Sequence, residues 1–294
     1  MASRNLGPLV AIVGQTASGK TSFAIELAEY IGGEIICADS RTVYKNMDIG
    51  TAKPSLVEQK RVKHHLIDVV NPDENFSVSD FKQLAEAAML DIQARKKIPI
   101  LVGGSGLYID SIIYDYKFRE NVNSPEETSG MTIEQMKDRI LGLGLELPEN
   151  HSNPRYLSRI IQTKQNSPSN RTLRENTIVV GLDIPAEILL ANSINRTNIM
   201  IKNRLIDELR QLVDKYDFEL NSFRAPSYKG LIGYINGDND LQKSIQEIVN
   251  ADLRLAKKQR TWFKRNKSIH WLNNPSEYVA TTTTLLNKLI SSKN

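Results

Sequence analysis

An α/β fold, with a parallel sheet covered on both faces by helices, is what the 294-residue sequence predicts. Three observations carry this: short apolar runs of strand length, helical spacing between them, and a glycine-rich loop joining the first run to the first helix. Leu9–Val13 is the first run, ends in glycine, and is followed by helical spacing over Thr21–Tyr30. Glu34–Ala38 reads as a second buried strand and Ile98–Val102 as a third. Between them, Val78–Arg95 carries Phe81, Leu84, Ala88 and Ile92 along one helical stripe, with Ser77 or Ser79 as N-cap.

The alternation breaks at Arg119–Asn153, a polar stretch that flanks a helix-like Ile133–Leu143 with proline- and asparagine-rich segments. This predicts a small, mostly helical insertion at 119–153 within a core made of residues 1–118 and 154–294. Tyr156–Lys164 resumes as helix, Asn166–Asn170 reads as a loop, and Thr177–Ile184 as a fourth strand. Two long helices follow. One has a stripe of Ile201, Leu205, Leu209, Leu212 and Tyr216, the other of Ile245, Ile248, Val249, Leu255 or Ala256, and Trp262. Ile269–Leu272 is the last strand, and no internal repeat is present.

Composition bounds the class of protein. Hydrophobic residues make up 40% and charged residues 24% of the chain, ordinary values for a globular protein. A single cysteine, Cys37, excludes a disulfide framework and reads as a small buried hydrophobe. No apolar run approaches the roughly 20 residues of a membrane span, and the first residues lack the apolar stretch of a secretory signal. A cytoplasmic, monomeric enzyme is therefore expected. The net charge of +4 is unevenly spread: Leu253–Ser276 contains no acid, yet holds Arg254, Lys257, Lys258, Arg260, Lys264, Arg265 and Lys267. Such a run is either a solvated helix face or the footprint of a polyanion.

Gly14-Gln15-Thr16-Ala17-Ser18-Gly19-Lys20-Thr21 fits G-x-x-x-x-G-K-[ST] and lies between a strand and a helix, the context that this phosphate-binding loop requires. Its glycines let the backbone wrap, so that successive N–H groups and the helix N-terminus face phosphate oxygens. Lys20 reaches the terminal phosphate, and Thr21 offers a hydroxyl to Mg²⁺. This makes the fold P-loop NTPase-like. A hydrolase or kinase would add an acid at the end of another strand to hold that ion, but Ile100-Leu101-Val102 runs into Gly103-Gly104-Ser105 instead. The acid is Asp39, directly after Ile35-Ile36-Cys37-Ala38. Strand ends line the ligand crevice of open α/β sheets, which leaves Asp39 as a Mg²⁺ ligand, a general base or a helix cap.

Asp39-Ser40, followed by Tyr44-Lys45-Asn46 and Met47-Asp48-Ile49-Gly50-Thr51-Ala52-Lys53-Pro54, closely resembles the tRNA dimethylallyltransferases, also called tRNA isopentenyltransferases. Further matches follow in family order: His64-His65-Leu66-Ile67-Asp68, Phe76-Ser77 with Phe81, Pro99–Gly104 with Leu107-Tyr108, Leu157-Ser158-Arg159, Gly233-Tyr234, and Ala256–Trp262. The resemblance covers the chain outside 119–153. It implies transfer of a dimethylallyl group from dimethylallyl diphosphate to N6 of the adenosine 3′ to the anticodon of tRNA. By the same resemblance Asp39, Thr16 and Lys20 are catalytic, and the P-loop with Mg²⁺ stabilises the departing diphosphate. Asp39, Ser40, Arg41, Thr42, Ser105 and Arg155-Tyr156-Leu157-Ser158-Arg159 are expected along the anticodon stem-loop, with Arg254, Lys257 and Lys258 on its phosphates.

The chain departs from that pattern at Ile235, where the family usually has Arg or Lys near the diphosphate, with Lys229 as a candidate substitute. It departs also at Asn192, where arginine is common, although Arg196 is retained, and at Gln15 and Tyr156. Other readings are a prenyltransferase acting on free adenine nucleotides, a nucleotide kinase, and a catalytically weak tRNA-binding protein. His64 and His65 read as a structural or a catalytic pair, and Trp262 as core or as a stacking platform.

Overall fold

The computed structural model describes residues 7–118, 128–148, 151–163 and 172–292. At its centre, β1 (Leu9–Gly14) is buried over all six residues. A continuous apolar run is what a strand needs when both of its faces are covered. Alternation divides it, so that Val10 and Ile12 join one core cluster, and Leu9, Ala11 and Val13 another. The first cluster lies under α1 (Lys20–Ile31) and α11 (Tyr278–Ser291). The second lies under α3 (Val78–Ala94), α4 (Gly106–Ile113) and the end of α10 (Leu241–Phe263).

The other strands are β2 (Glu34–Cys37), β3 (His64–His65), β4 (Pro99–Gly103), β5 (Thr177–Leu182) and β6 (Ile269–Leu272). They pair in the order β3-β2-β4-β1-β5-β6, every pairing parallel. The expected α/β architecture is thus observed; the five expected strands lie within two residues of their predicted bounds, and β3 is additional. Parallel pairing sends every strand's C-terminal end to one rim, where Gly14, Cys37 and Gly103 lead into loops. Gly103 has to be glycine, because an added Cβ would lie 1.9 Å from the carbonyl oxygen of Ala38.

One expectation on helices is corrected, and one helix is additional. The stripe Ile201–Tyr216 is shared between α7 (Ala186–Lys202) and α8 (Leu205–Val213), because Arg204 takes a left-handed φ of 71° that no α-helix accommodates. The Thr281–Thr284 run, which propensity disfavours, nevertheless lies within α11. Tyr278, Thr282 and Leu286 share its buried face, and the hydroxyls of Thr283 and Thr284 bond back to carbonyls one turn earlier at 2.8 and 2.9 Å. The histidine pair forms β3 beside β2, and α2 (Leu56–Arg61) precedes it with a Ser55/Glu58 capping box.

A third cluster packs α8 and α9 (Pro226–Ile235) against Val43, Tyr44 and Met47. The Asp48–Pro54 loop is fixed on it by Glu208 of α8. One Glu208 oxygen accepts the N–H of Asp48 and Ile49 at 2.9 and 2.8 Å, and the other accepts that of Gly50 and the Tyr228 hydroxyl at 2.8 and 2.9 Å. Gly50 leaves room for this, since a Cβ there would sit 2.2 Å from the Tyr228 ring. Lys53 is buried and bridges Asp48 and Asp68 at 2.5 Å each.

The described residues form two compact units, one of residues 7–115 and 173–292 and the other of Tyr116–Thr172. The second unit contains α5 (Ile133–Gly142) and α6 (Pro154–Thr163) and is wider than the 119–153 expected from composition. The reason is packing: Leu157, Ile160 and Ile161 of α6 close on Met136 and Ile140 of α5.

Replacing Glu208 by alanine leaves three loop N–H groups without their acceptor. We expect a loss of roughly 2–5 kcal/mol in urea denaturation. A change under about 0.5 kcal/mol would contradict this account of the loop.

Candidate active site

The P-loop leaves β1 at Gly14 and enters α1 at Lys20, turning through Ala17 at φ 60° and Gly19 at φ 85°. A Cβ on Gly19 would meet nothing within 4 Å, so the backbone angle alone requires glycine there. Ala17 has a side chain and still adopts the left-handed region, which costs energy unless other contacts hold it. Its carbonyl accepts Asn192 Nδ2 from α7 at 2.9 Å. The residue at a position where arginine was expected therefore pins the loop.

Two more side chains hold the preceding residue. Gln259 of α10 accepts the Thr16 N–H at 2.7 Å through Oε1 and donates from Nε2 to the Gly104 carbonyl at 3.1 Å. Arg196 of α7 donates from Nη1 to the Thr16 hydroxyl at 2.9 Å and from Nη2 to Asp252. The expectation that the loop's successive N–H groups all face phosphate is corrected at Thr16, whose N–H is already taken. The first N–H groups of α1 have no partner inside the helix and remain available to an anion.

These groups line a cavity of about 300 Å³. Thr16–Thr21 form one wall and Gly50–Ala52 another, with Asp39, Arg41, Gly103, Gly104 and Arg196 between. Lys20 is half-buried beside Asp39 and donates from Nζ to the Gln15 carbonyl. Burial pushes its pKa down to about 8; Asp39 pulls it up, and Arg196 pushes it further down. Ile235 and Lys229 are not among the lining residues, and Ile235 packs into the cluster around Tyr228. The cavity's cations are Lys20, Arg41 and Arg196.

Asp39 stands at the rim just past β2, and its Oδ1 accepts the Arg41 N–H at 2.7 Å. The next residue, Ser40, donates its N–H to Ser105 Oγ at 3.0 Å, and Arg41 donates to the Asn221 carbonyl. Asp39, Ser40, Arg41 and Ser105 are thus gathered at one place. Thr42 is beside them but buried, so it faces the cavity and not the outer surface.

In the second unit Tyr156 is exposed, Ser158 donates to Met136 Sδ at 3.9 Å, and the Arg159 guanidinium lies 5.5 Å from the Phe118 ring centre. Leu157, expected along an RNA, is fully buried against α5, because it belongs to that unit's own core. Arg155 is on α6, and its side chain lies outside the described residues.

Arg254, Lys257 and Lys258 are exposed one turn apart on α10, while Asp252, Ala256 and Gln259 point inward. Arg260 pairs with Asp183 at 3.1 Å. His64 lines the cavity, its Nδ1 bonded to the Val62 carbonyl at 2.8 Å, and burial lowers its pKa. His65 is structural, bonded at 2.8 Å to Glu34, which also holds Arg95 and Lys97. Cys37 is buried and its pKa pushed up to about 12 by desolvation. Trp262 packs against the core and donates to Asp110 at 3.0 Å. Among the described residues no group of three His, Cys, Asp or Glu could hold a metal, and no helix is long and apolar enough to cross a membrane. For Mg²⁺ the cavity offers the Thr21 hydroxyl and the Asp39 carboxylate, hard oxygen donors of the kind this ion takes alongside phosphate and water.

A parallel sheet, with the Gly14–Thr21 loop at its rim and Asp39 lining the same cavity, defines a P-loop NTPase-like fold. The IPP transferase family model matches residues 42–266. A tRNA dimethylallyltransferase of Staphylococcus aureus is 36% identical over 292 residues, covering 92% of this chain and 94% of that protein. The tRNA isopentenylpyrophosphate transferase of Bacillus halodurans superposes with a TM-score of 0.76 at 29% identity, covering 97% of each chain. The corresponding enzyme of Staphylococcus epidermidis gives 0.73 at 32% identity, covering 96% of this chain and 99% of its own. This chain belongs to the IPP transferase family.

Lys20 binds an anion best as a cation, and its pKa lies near 8 when no ligand is bound. We expect affinity for inorganic diphosphate to be full well below pH 8 and to fall by up to about tenfold per pH unit above it, beyond the ligand's own ionisation. Titration calorimetry from pH 7 to 9.5 checks this. Lys20→Arg should lose the extra slope, and equal slopes in both proteins would contradict the assignment.

Proposed function

We propose that the protein transfers the dimethylallyl group of dimethylallyl diphosphate to N6 of the adenosine 3′ to the anticodon in tRNA. The observation that carries this is that Asp39, Lys20 and Thr16 line one cavity, in a chain of the IPP transferase family.

The allylic C–O bond breaks with its electron pair passing to diphosphate, while N6 forms the new bond to carbon and gives up a proton. The cation at carbon is stabilised by its own double bond, so the enzyme's task is the two anionic ends. Lys20, Arg196 and the N-terminus of α1 surround the oxygens on which charge grows, an interaction stronger in the transition state than before it. Mg²⁺, held through Thr21, would add charge at the same oxygens. The exocyclic amine is a weak nucleophile because its lone pair is delocalised into the ring, and Asp39 accepts its proton as the bond forms.

The acceptor base must leave the anticodon-loop stack to reach this cavity. Ser40, Arg41 and Ser105 stand at the entrance beside Asp39, and Arg254, Lys257 and Lys258 offer an exposed basic stripe to the RNA backbone. Asn192, Gln259 and the retained Arg196 support a working donor site despite Ile235, because the loop is held and cations are present without it.

Asp39→Ala should reduce transfer of labelled dimethylallyl to tRNA by at least about 10²-fold while tRNA affinity stays within a factor of about three. Near-normal turnover in this variant would overturn the general-base role. Replacing Arg254, Lys257 and Lys258 together by alanine should weaken tRNA binding and lower the log–log salt slope by about 2 to 3. An unchanged slope would mean that this face is only solvated.

A further inference from the structure

Asp252 occupies a position on α10 where the stripe Ile245, Ile248, Val249 and Ala256 calls for an apolar residue. It is 2% exposed, and its Oδ2 accepts both Ser193 Oγ at 3.0 Å and Arg196 Nη2. Asp252 is buried while the Arg196 side chain is 28% exposed, so desolvation offsets part of the pair's attraction and makes it a poor way to join two helices. What the pair does secure is orientation. Arg196 Nη1 is thereby directed at the Thr16 hydroxyl, 2.9 Å away, while its Nε is buried without a hydrogen-bond partner.

The order of donors matters here. A hydroxyl that accepts from a guanidinium keeps its single proton for another acceptor and becomes a better donor. Thr16 is held on its other side by Gln259, which takes its N–H at 2.7 Å, so the residue cannot turn away. The Thr16 side chain lines the cavity with Lys20 and Arg196. An acceptor arriving there is an oxygen of the diphosphate.

We propose that Asp252 is a positioning residue for the leaving group: it fixes Arg196 so that the Thr16 hydroxyl turns its proton toward the diphosphate oxygen released from carbon. Asp252 lines the cavity beside Arg196 and acts on the leaving group through that guanidinium. This inference rests on the transferase reading of the P-loop.

The test compares the parent protein with Asp252→Asn, Arg196→Ala and the double variant in two assays. One is steady-state transfer from dimethylallyl diphosphate to an unmodified anticodon stem-loop, and the other is calorimetric binding of inorganic diphosphate. Asp252→Asn should lower kcat by about 10- to 100-fold and weaken diphosphate by about tenfold, with the KM for RNA within about twofold. Adding it to Arg196→Ala should cost no more than about a further threefold, because the two residues act as one unit. Multiplied losses in the double variant, or a folded Asp252→Asn protein with parental kcat and diphosphate affinity, would overturn the proposal. If Asp252→Asn does not fold, Asp252→Glu keeps the charge but displaces the guanidinium, and the same outcomes apply. Should the parent transfer nothing to RNA, the transferase reading fails, and the diphosphate arm alone still decides whether Asp252 acts through Arg196.

Discussion

The shape of the phosphate loop is imposed from outside the loop. Asn192 and Arg196 of α7 and Gln259 of α10 hold the Ala17 carbonyl, the Thr16 hydroxyl and the Thr16 N–H. A loop that must supply donors to an anion cannot also satisfy its own backbone, so its conformation has to be fixed by other elements. Everything facing the cavity depends on this clamp. It keeps Ala17 in a left-handed conformation, and it carries the position of Thr16 back to α7 and α10.

A second frame holds the opposite wall by the same logic with the charges reversed. There an acidic side chain, Glu208, collects the N–H groups of a loop, and a buried lysine, Lys53, neutralises the carboxylates beside it. The Met47–Pro54 run that carries part of the family resemblance is therefore chiefly a packing solution. Gly50 lies against Tyr228, and Lys53 points away from solvent into Asp48 and Asp68. Little space is left around the run, and Gly50–Ala52 share the cavity lining with Thr16–Thr21 and Asp39.

The sheet was legible because buried parallel strands carry apolar runs, as Leu9–Val13, Ile35–Ala38, Ile98–Val102 and Ile178–Leu182 do, whereas the edge strand Ile269–Leu272 is interrupted by exposed His270. The two-residue β3 was not, since two histidines carry no such pattern and pair only because β2 offers an edge. The break at Arg204 escaped because the apolar stripe continues across it, and α11 because its threonines are placed by packing against propensity. In the site, Gly14–Thr21 and Asp39 were readable as a motif and a strand-end acid. Asp252 left only one trace, a carboxylate in an apolar stripe, and Asn192 stood out for the absence of arginine rather than for the bond it makes to Ala17. Such links join residues more than 50 positions apart, and no local pattern records them.

A P-loop ordinarily suggests a nucleoside triphosphate. Here the acid stands after β2, beside Lys20, and the glycines of Gly103-Gly104 occupy the end of β4 where a metal-binding acid would stand in a hydrolase. The account's central claim is that this loop receives a leaving diphosphate. Its most direct measurement is incubation of the protein with labelled dimethylallyl diphosphate and an unmodified anticodon stem-loop, with ATP offered as competing donor and AMP as competing acceptor. The account predicts label on the adenosine 3′ to the anticodon, with equimolar diphosphate released and neither ATP consumed nor AMP labelled. Phosphate transfer from ATP, or label on AMP in preference to the RNA, would contradict it.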